Sequence, residues 1–256
     1  MNRFVKMNLL SLDQNLISDG RAIVRPSIAF SNTMDRLSAG HIMLEQAYLA
    51  PSFRTALSPF EQSLAGDFTA RRKTGFIAAR ICLKILAYKM GLVGPDQEAG
   101  ALETVNRKDR RPLLPGGEGL YYASVSHDRR FTLAVADRCP IGVDIEAVSS
   151  RLVKGGHIFM NSEEMAIVGS GGMDMAQAAT MVWTAKEAVA KALNLHLFDA
   201  WRMVRLVKPG LNESVFVYRD GELTVSHLLE GERVVSVIRV ATVSGSTLQK
   251  VQQTVR

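Results

Sequence analysis

The chain has 256 residues, of which 47% are hydrophobic and 22% charged, and its net charge is +6. That length buries a substantial core, as one large domain or two halves, and the composition is that of a globular protein. The positive balance favours an anionic partner, whether nucleic acid, a phosphorylated cofactor or an acidic protein. Two cysteines, Cys82 and Cys139, without a C-x-x-C exclude a disulfide scaffold, and the five histidines show no zinc spacing. Arg3 and Lys6 precede an apolar patch, Asn8 to Leu12, that Asp13 ends too soon for a signal-peptide core. No apolar run reaches the ~20 residues of a membrane span. The expectation is a cytoplasmic protein.

Residues 1–57 are broken by Pro26 and Pro51, and His41 to Leu49 reads as a short helix. Ser58-Pro59-Phe60-Glu61 is a capping box that starts a helix running to about Gly66. A longer helix follows from about Thr69 to Met90, with a core stripe of Phe76, Ile77, Ile81, Leu83, Ile85 and Leu86 and a stop at Gly91. Arg71, Arg72 and Lys73 crowd its first turn, where the helix dipole disfavours cations. The cluster is either a solvated basic turn or an anion site. Residues 92–120 read as loop, and Asn106 to Pro112 holds four cations against one acid. Tyr121 to His127 and Phe131 to Ala136 read as strands, the first ending in the polar pair Ser126-His127.

Ile141-Gly142-Val143-Asp144-Ile145-Glu146 alternates as a strand does, so Asp144 and Glu146 project together while Val143 and Ile145 point into the core. Adjacent carboxylates repel unless a cation lies between them, and hard divalent cations take such oxygen ligands alongside substrate phosphates. Residues 147–173 read as irregular, with a helix start at Asn161-Ser162-Glu163-Glu164 and a candidate mobile loop at Gly169 to Gly172. Asp174 caps a helix to about Leu195 on which Trp183, Glu187 and Lys191 lie four apart on one face. Lys186 sits beside Glu187 in an otherwise apolar run. The tail is β: 214–218, 223–228 and 234–243, with a hairpin signal at Asp220-Gly221. No repeat stands out.

Gly142 to Glu146, followed about forty residues later by Trp183 to Lys191, resembles the two signature motifs of the 4′-phosphopantetheinyl transferases, G-[IV]-D-[IVL]-E and W-[ST]-x-K-E-[AS]-x-x-K. The nearest branch is the stand-alone, two-half type that activates surfactin and enterobactin synthetases. Weaker matches fall on the basic first turn, on Ala79-Arg80 where Gly-Arg is usual, on Arg111-Pro112 with Arg110 in place of a glycine, and on Ser126-His127. The resemblance covers roughly Pro59 to Val243.

The resemblance implies an α+β fold, a pseudo-twofold arrangement of two similar halves, each an antiparallel sheet packed by helices, with the active site between them. Residues 1–57 would be an extension packed on the first half, 58–140 the first half on the coenzyme A side, and 141–256 the second half with the metal motif and the carrier-protein side. The implied activity moves the phosphopantetheine arm of coenzyme A to a serine of an acyl, peptidyl or aryl carrier protein, releasing 3′,5′-ADP. Mg²⁺ or Mn²⁺ would be held by Asp144, Glu146 and Glu187, with Glu163 or Glu164 as a supporting acid. Lys191 and Lys186 would neutralise phosphates, Glu187 would serve as general base, and Arg71, Arg111, Ser126 and His127 would contact coenzyme A. The expected partner is an acidic carrier protein and the expected state a monomer, with neither nucleic acid nor membrane. Two other readings fit the basic charge: a Mg²⁺-dependent nuclease, and a non-catalytic nucleic-acid-binding module using Arg71–Lys73 and Arg107–Arg111.

Overall fold

A computed structural model describes residues 7–18, 28–49, 51–109 and 111–240. Arg110, the basic residues Arg3 and Lys6, Pro26 and the last three residues expected in the final strand lie outside them. Helices Leu9–Ser18 (α1) and Ile28–Leu37 (α2) precede strand Gly40–Glu45 (β1). Helices Pro59–Gly66 (α3) and Ala70–Lys89 (α4) follow, then strands Tyr122–His127 (β2) and Phe131–Asp137 (β3). Strand Ile141–Ala147 (β4) opens the next part, followed by helices Ser150–Lys154 (α5), Gly156–Phe159 (α6), Ser162–Ser170 (α7), Met175–Leu193 (α8) and Leu197–Met203 (α9). Strands Val204–Lys208 (β5), Glu213–Tyr218 (β6), Gly221–Glu230 (β7) and Arg233–Arg239 (β8) complete it.

The fold is α+β, with two antiparallel sheets of order β1-β3-β2 and β4-β8-β7-β6-β5. Helix α4 covers the first sheet over a core that includes Ile81, Leu83, Leu86 and Ala134, and α8 covers the second over Ala185, Val189, Phe216 and Ile238. A third core closes the space between the sheets, with Met43, Leu133 and Val135 on one side and Val143, Ile145, Val235 and Val237 on the other. Hydrophobic burial therefore organises the molecule as helix, sheet, sheet, helix.

The two sheet-and-helix units repeat. β1, α4, β2 and β3 have the order and pairing of β4, α8, β7 and β8, at a near-constant offset of 102 residues, Lys84 to Lys186. The two similar halves were expected, but no repeat stands out in the residues because few positions are identical across it, among them Gly40 and Gly142, Lys84 and Lys186, and Lys89 and Lys191. Each unit contains the same buried lock. In the first, Ser58 caps α3 and Glu61 closes the capping box; Lys84 Nζ donates to Glu61 Oε2 at 2.8 Å and to the Ala56 carbonyl at 2.6 Å. In the second, Asn161 caps α7 and Glu164 closes the box; Lys186 Nζ donates to Glu164 Oε2 at 2.9 Å and to the Phe159 carbonyl at 2.7 Å. The free oxygen of each glutamate then accepts a backbone N–H, from Thr104 and from Leu206. Each lysine and each glutamate therefore makes several hydrogen bonds, which is the condition for burying an ion pair without great loss.

Several expectations need correction. The segment His41–Leu49 forms β1 and a 3-10 turn rather than a helix. It joins the first sheet because Ile42, Met43 and Leu44 find apolar surface on both faces of β1. Residues 147–173 carry three helices, and Gly169 lies inside α7 rather than in a loop. The β6–β7 hairpin turns on Arg219-Asp220, since Tyr218 pairs with Gly221 and Arg219 takes the positive φ of 54°.

Lys84→Ala and Lys186→Ala each strand a buried carboxylate, and each is expected to lower the unfolding free energy by about 3–5 kcal/mol in urea titrations. A loss under about 1 kcal/mol for either would show that its lock is not structural.

Candidate active site

The site begins with a backbone contact. A Cβ on Gly142 would lie 1.9 Å from the Ala188 carbonyl oxygen and 2.8 Å from the Ala192 nitrogen, so β4 lies directly on α8 and only glycine fits. Gly142, Asp144 and Glu146 share one face of β4. That face meets the stretch of α8 carrying Glu187 and Lys191. Thr184 of the helix motif ties the two layers together: its hydroxyl lies 2.6 Å from that of Ser236, the residue paired with Asp144 across β4–β8. Ser236 also bonds His227 Nδ1 at 2.9 Å, and burial pushes His227 down to about 4, so it stays neutral.

Asp144 is buried, and its Oδ1 accepts from Lys191 Nζ at 2.7 Å and from the Ser126 hydroxyl at 2.5 Å. Lys191 also donates to the Val143 carbonyl at 3.0 Å and stands 4.0 Å from Glu187 Oε2. Two residues before Ser126, the Ser124 hydroxyl accepts the Val143 N–H at 3.1 Å. The serines of β2 thus reach from the first sheet to position the acid strand of the second. Glu187 lies near enough to Asp144 to feel its charge. Burial first, then the Asp144 charge, pushes Glu187 well above the usual carboxylate range. The same causes, with Asp128 added, raise Glu146 to about 7.

Asp144 Oδ2 is buried and has no hydrogen-bond partner. An orphaned carboxylate oxygen beside two further crowded acids fits a hard divalent cation, which would relieve both the repulsion and the missing contact. Asp144, Glu146 and Glu187 are the side chains that would hold it. Among the described residues no three ligating groups are already gathered in coordinating positions.

Beside the acids opens a cleft of about 1200 Å³ lined by Glu146, Trp183, His127 and five arginines, Arg71, Arg72, Arg129, Arg151 and Arg233. Trp183 forms its wall, edge-on to Phe159 at 5.1 Å. Arg233 is fixed by Asp128, Nε to Oδ2 at 2.6 Å, and lies over the Phe131 ring at 4.6 Å. Sequence reading missed Arg129, Arg151 and Arg233; the last is delivered by β8 from more than a hundred residues away, and no local pattern marks it.

Arg71 and His127 meet in this cleft, whereas Arg111 lines a separate cavity of about 400 Å³ with Glu187, Lys191 and Asn194. There its Nε is held by Asp109 at 2.6 Å. Lys186 and Ser126 are not where phosphate contacts were expected. The Lys186 ammonium is fully buried on Glu164, Phe159 and the Trp201 carbonyl, and the Ser126 proton is used by Asp144. Glu164 serves that lock as well. Arg80, of the Ala79-Arg80 match, is buried and donates to the Thr104 carbonyl at 2.6 Å. Among the described residues no helix is long and apolar enough to cross a membrane.

A model of the 4′-phosphopantetheinyl transferase superfamily matches residues 140–237, which contain the three acids and Lys191 but not His127 or Arg71. The chain is 29% identical over 146 residues to enterobactin synthase component D of Salmonella typhimurium, covering 56% of each chain. It is 31% identical over 112 residues to the Salmonella typhi protein of that name, covering 43% of this chain and 47% of that one. For the Escherichia coli O157:H7 protein the match is 29% over 129 residues, 49% and 60%. The chain thus spans about half the length of the curated relatives it matches.

The acids set a pH test. Glu146 holds its proton more tightly folded, at about 7, than at its ordinary value of 4.5. Across that window the folded chain binds more protons than the unfolded one, so stability falls as pH rises. The metal-free protein is expected to lose melting temperature from roughly pH 5 to roughly pH 8, and Glu146→Gln to flatten that fall. An unchanged slope in the variant would contradict the assigned crowding. Asp144→Ala differs from Glu146→Gln, because it also removes the carboxylate that accepts from Lys191 and Ser126.

Proposed function

We propose, from the match of residues 140–237 to a model of the 4′-phosphopantetheinyl transferase superfamily, that this chain transfers the phosphopantetheine arm of coenzyme A to a serine of a carrier protein. The observation that carries the reading is the unpartnered Asp144 Oδ2 beside Lys191, with Glu146 of the same strand face lining an arginine-rich cleft and Glu187 and Lys191 lining a smaller cavity. Three crowded acids that share one lysine, next to a basic cleft, suit a diphosphate substrate with its metal. The placement of Glu187 and Lys191 on a helix also favours this reading over a nuclease, whose E-x-K stands on a strand beside its aspartate.

In the reaction the serine oxygen attacks the phosphorus on the pantetheine side of the diphosphate. The bond from that phosphorus to the bridging oxygen breaks, and 3′,5′-ADP leaves. Mg²⁺ or Mn²⁺, held by Asp144, Glu146 and Glu187, would neutralise charge on the diphosphate oxygens. Lys191 is anchored by Val143 and Asp144, which use two of its three protons and leave the third for a phosphate oxygen. Glu187, directly or through a water, takes the serine proton. Arg71 and His127 hold the 3′-phosphate from the large cleft, and Arg111 approaches from the smaller cavity. Lys186 acts on structure alone by fixing α8 to α7.

The partner is an acidic acyl, peptidyl or aryl carrier protein, met in the cytoplasm by a monomer with net charge +6. The relatives are components of an enterobactin synthase, which makes a peptide- or siderophore-type assembly line the first place to look. Docking beside α7 and α8 suits the exposed Met165 and Met173, which lines an apolar pocket of about 180 Å³ with Ile167, Val182 and Leu211. Methionine adapts its shape to varied partners. Met160, by contrast, is buried against Gly156 and belongs to the core.

Incubating the protein with coenzyme A, Mg²⁺ and purified carrier domains is expected to add one phosphopantetheine mass to the carrier, and Asp144→Asn to abolish it. No mass shift on any acyl, peptidyl or aryl carrier would overturn the reading. The carrier KM is expected to rise with salt more than that of coenzyme A, because complementary charge is screened beyond about 8 Å at physiological strength. Met165→Asp and Met173→Asp should raise the carrier KM alone, whereas a salt-insensitive carrier KM with both variants unchanged would remove the docking surface from α7 and α8.

A further inference from the structure

We propose that Gly75 is a positioning residue: its bare backbone is the seat on which the His127 ring lies, and it fixes where the imidazole meets a bound anion. The inference rests on the proposed use of coenzyme A. A Cβ at Gly75 would lie 2.8 Å from His127 Nε2, 2.9 Å from Cε1 and 3.0 Å from Cδ2. Three ring atoms at such distances mean that the imidazole packs against the helix backbone itself, where no side chain has room.

Glycine inside a helix is otherwise a liability, because it is the least favourable residue there after proline. Gly75 lies in the second turn of α4 with a negative φ, so no left-handed conformation requires it. Nor is the closest approach to another backbone, since the three nearest atoms all belong to one ring. The ring itself is the remaining physical reason for glycine at this position.

The seat is placed to matter. Arg71 stands one turn before Gly75, on the same face of α4, and Arg71 and His127 line the same cleft. His127 is the last residue of β2, open to solvent on its outer side, so the strand fixes its backbone but not its ring. With α4 against the ring on one side, Nε2 nearest to it, the swing of the ring is limited. Burial, with the Lys191 charge second, also lowers the His127 pKa, and a phosphate arriving between Arg71 and His127 would oppose that shift. Any side chain at position 75 turns the ring out of the cleft while leaving Arg71 in place.

The test uses the full chain, with Gly75→Ala, His127→Ala and the double variant. Coenzyme A and dephospho-coenzyme A are titrated by calorimetry, which needs no carrier and no turnover. Gly75→Ala is expected to weaken coenzyme A about tenfold, the scale of one charge-assisted hydrogen bond, and to leave dephospho-coenzyme A unchanged. The double variant should bind as His127→Ala does, since the seat has no effect without the ring. Unchanged coenzyme A affinity in Gly75→Ala, or additive losses in the double variant, would overturn the proposal.

A second readout is independent of any ligand. With the ring removed, alanine at 75 should gain its ordinary helix advantage and raise the unfolding midpoint of His127→Ala by about 2–4 °C. In the wild-type background the same change should lower the midpoint or leave it level. Should the wild type fail to take up coenzyme A, the functional reading fails, and this comparison alone judges the seat. Equal stabilisation in both backgrounds would overturn it.

Discussion

The site depends on one close approach, that of β4 to α8 at Gly142 and Ala188, where a single methyl group would collide with a carbonyl. Backbone against backbone leaves no room for side chains of ordinary length to separate the layers. Groups projecting from the two facing surfaces are therefore pressed together: Asp144 and Glu146 from the strand, Glu187 and Lys191 from the helix. The repulsion among the acids is a consequence of that packing. It is tolerable because Lys191 is half-buried among them and because Ser126 donates its proton from the neighbouring sheet. Such a site is electrostatically prepared before any substrate arrives, which is how positioned charge lowers a barrier without reorganisation.

Next to this strained group stands its opposite. Lys186 and Glu187 are consecutive, yet one forms a fully satisfied buried pair and the other is an acid short of a cation. Successive residues on a helix are turned by about 100°, so Lys186 looks toward α7 while Glu187 looks toward β4. The K-E dipeptide of the motif thus joins two tasks. The lysine pins α8 to the capped start of α7, and that fixed helix holds the glutamate against Asp144.

The sequence displayed the acids and the helix face clearly, because strand and helix periodicity are local and the motif residues are contiguous. The capping box at Ser58 and the helix start at Asn161 were legible for the same reason, and Ser58-x-x-Glu61 forms as read. Contacts made across the fold were not legible. Ser126 looked like a ligand group beside His127, but its partner is 18 residues away on another sheet. Arg233 and Asp128 form an ion pair across 105 residues, and neither stands in a pattern that names the other. The strand at Gly40–Glu45 was hidden because its buried residues Ile42, Met43 and Leu44 are consecutive, which suits a strand covered on both faces but shows no alternation.

The internal repeat separates what the frame requires from what the chemistry requires. Gly40 faces the side chains of Leu86 and Met90 where Gly142 faces the backbone of Ala188 and Ala192, at the same offset that relates Lys84 to Lys186, so a glycine stands at the strand–helix contact of each unit. Carried through, that offset sets Ile42 against Asp144, Leu44 against Glu146 and Ile85 against Glu187. All three apolar residues are buried in the first unit. Lys89, the counterpart of Lys191, turns outward instead and pairs with Asp13 of α1 at 3.1 Å. The glycine contact and the buried lysine lock are thus present in both units, and belong to the fold. The three carboxylates are present in one unit only, where the frame would accept isoleucine and leucine. Acids kept at positions that the same architecture fills with hydrocarbon elsewhere are there at a cost to stability, which the cation and phosphates of the proposed reaction would offset.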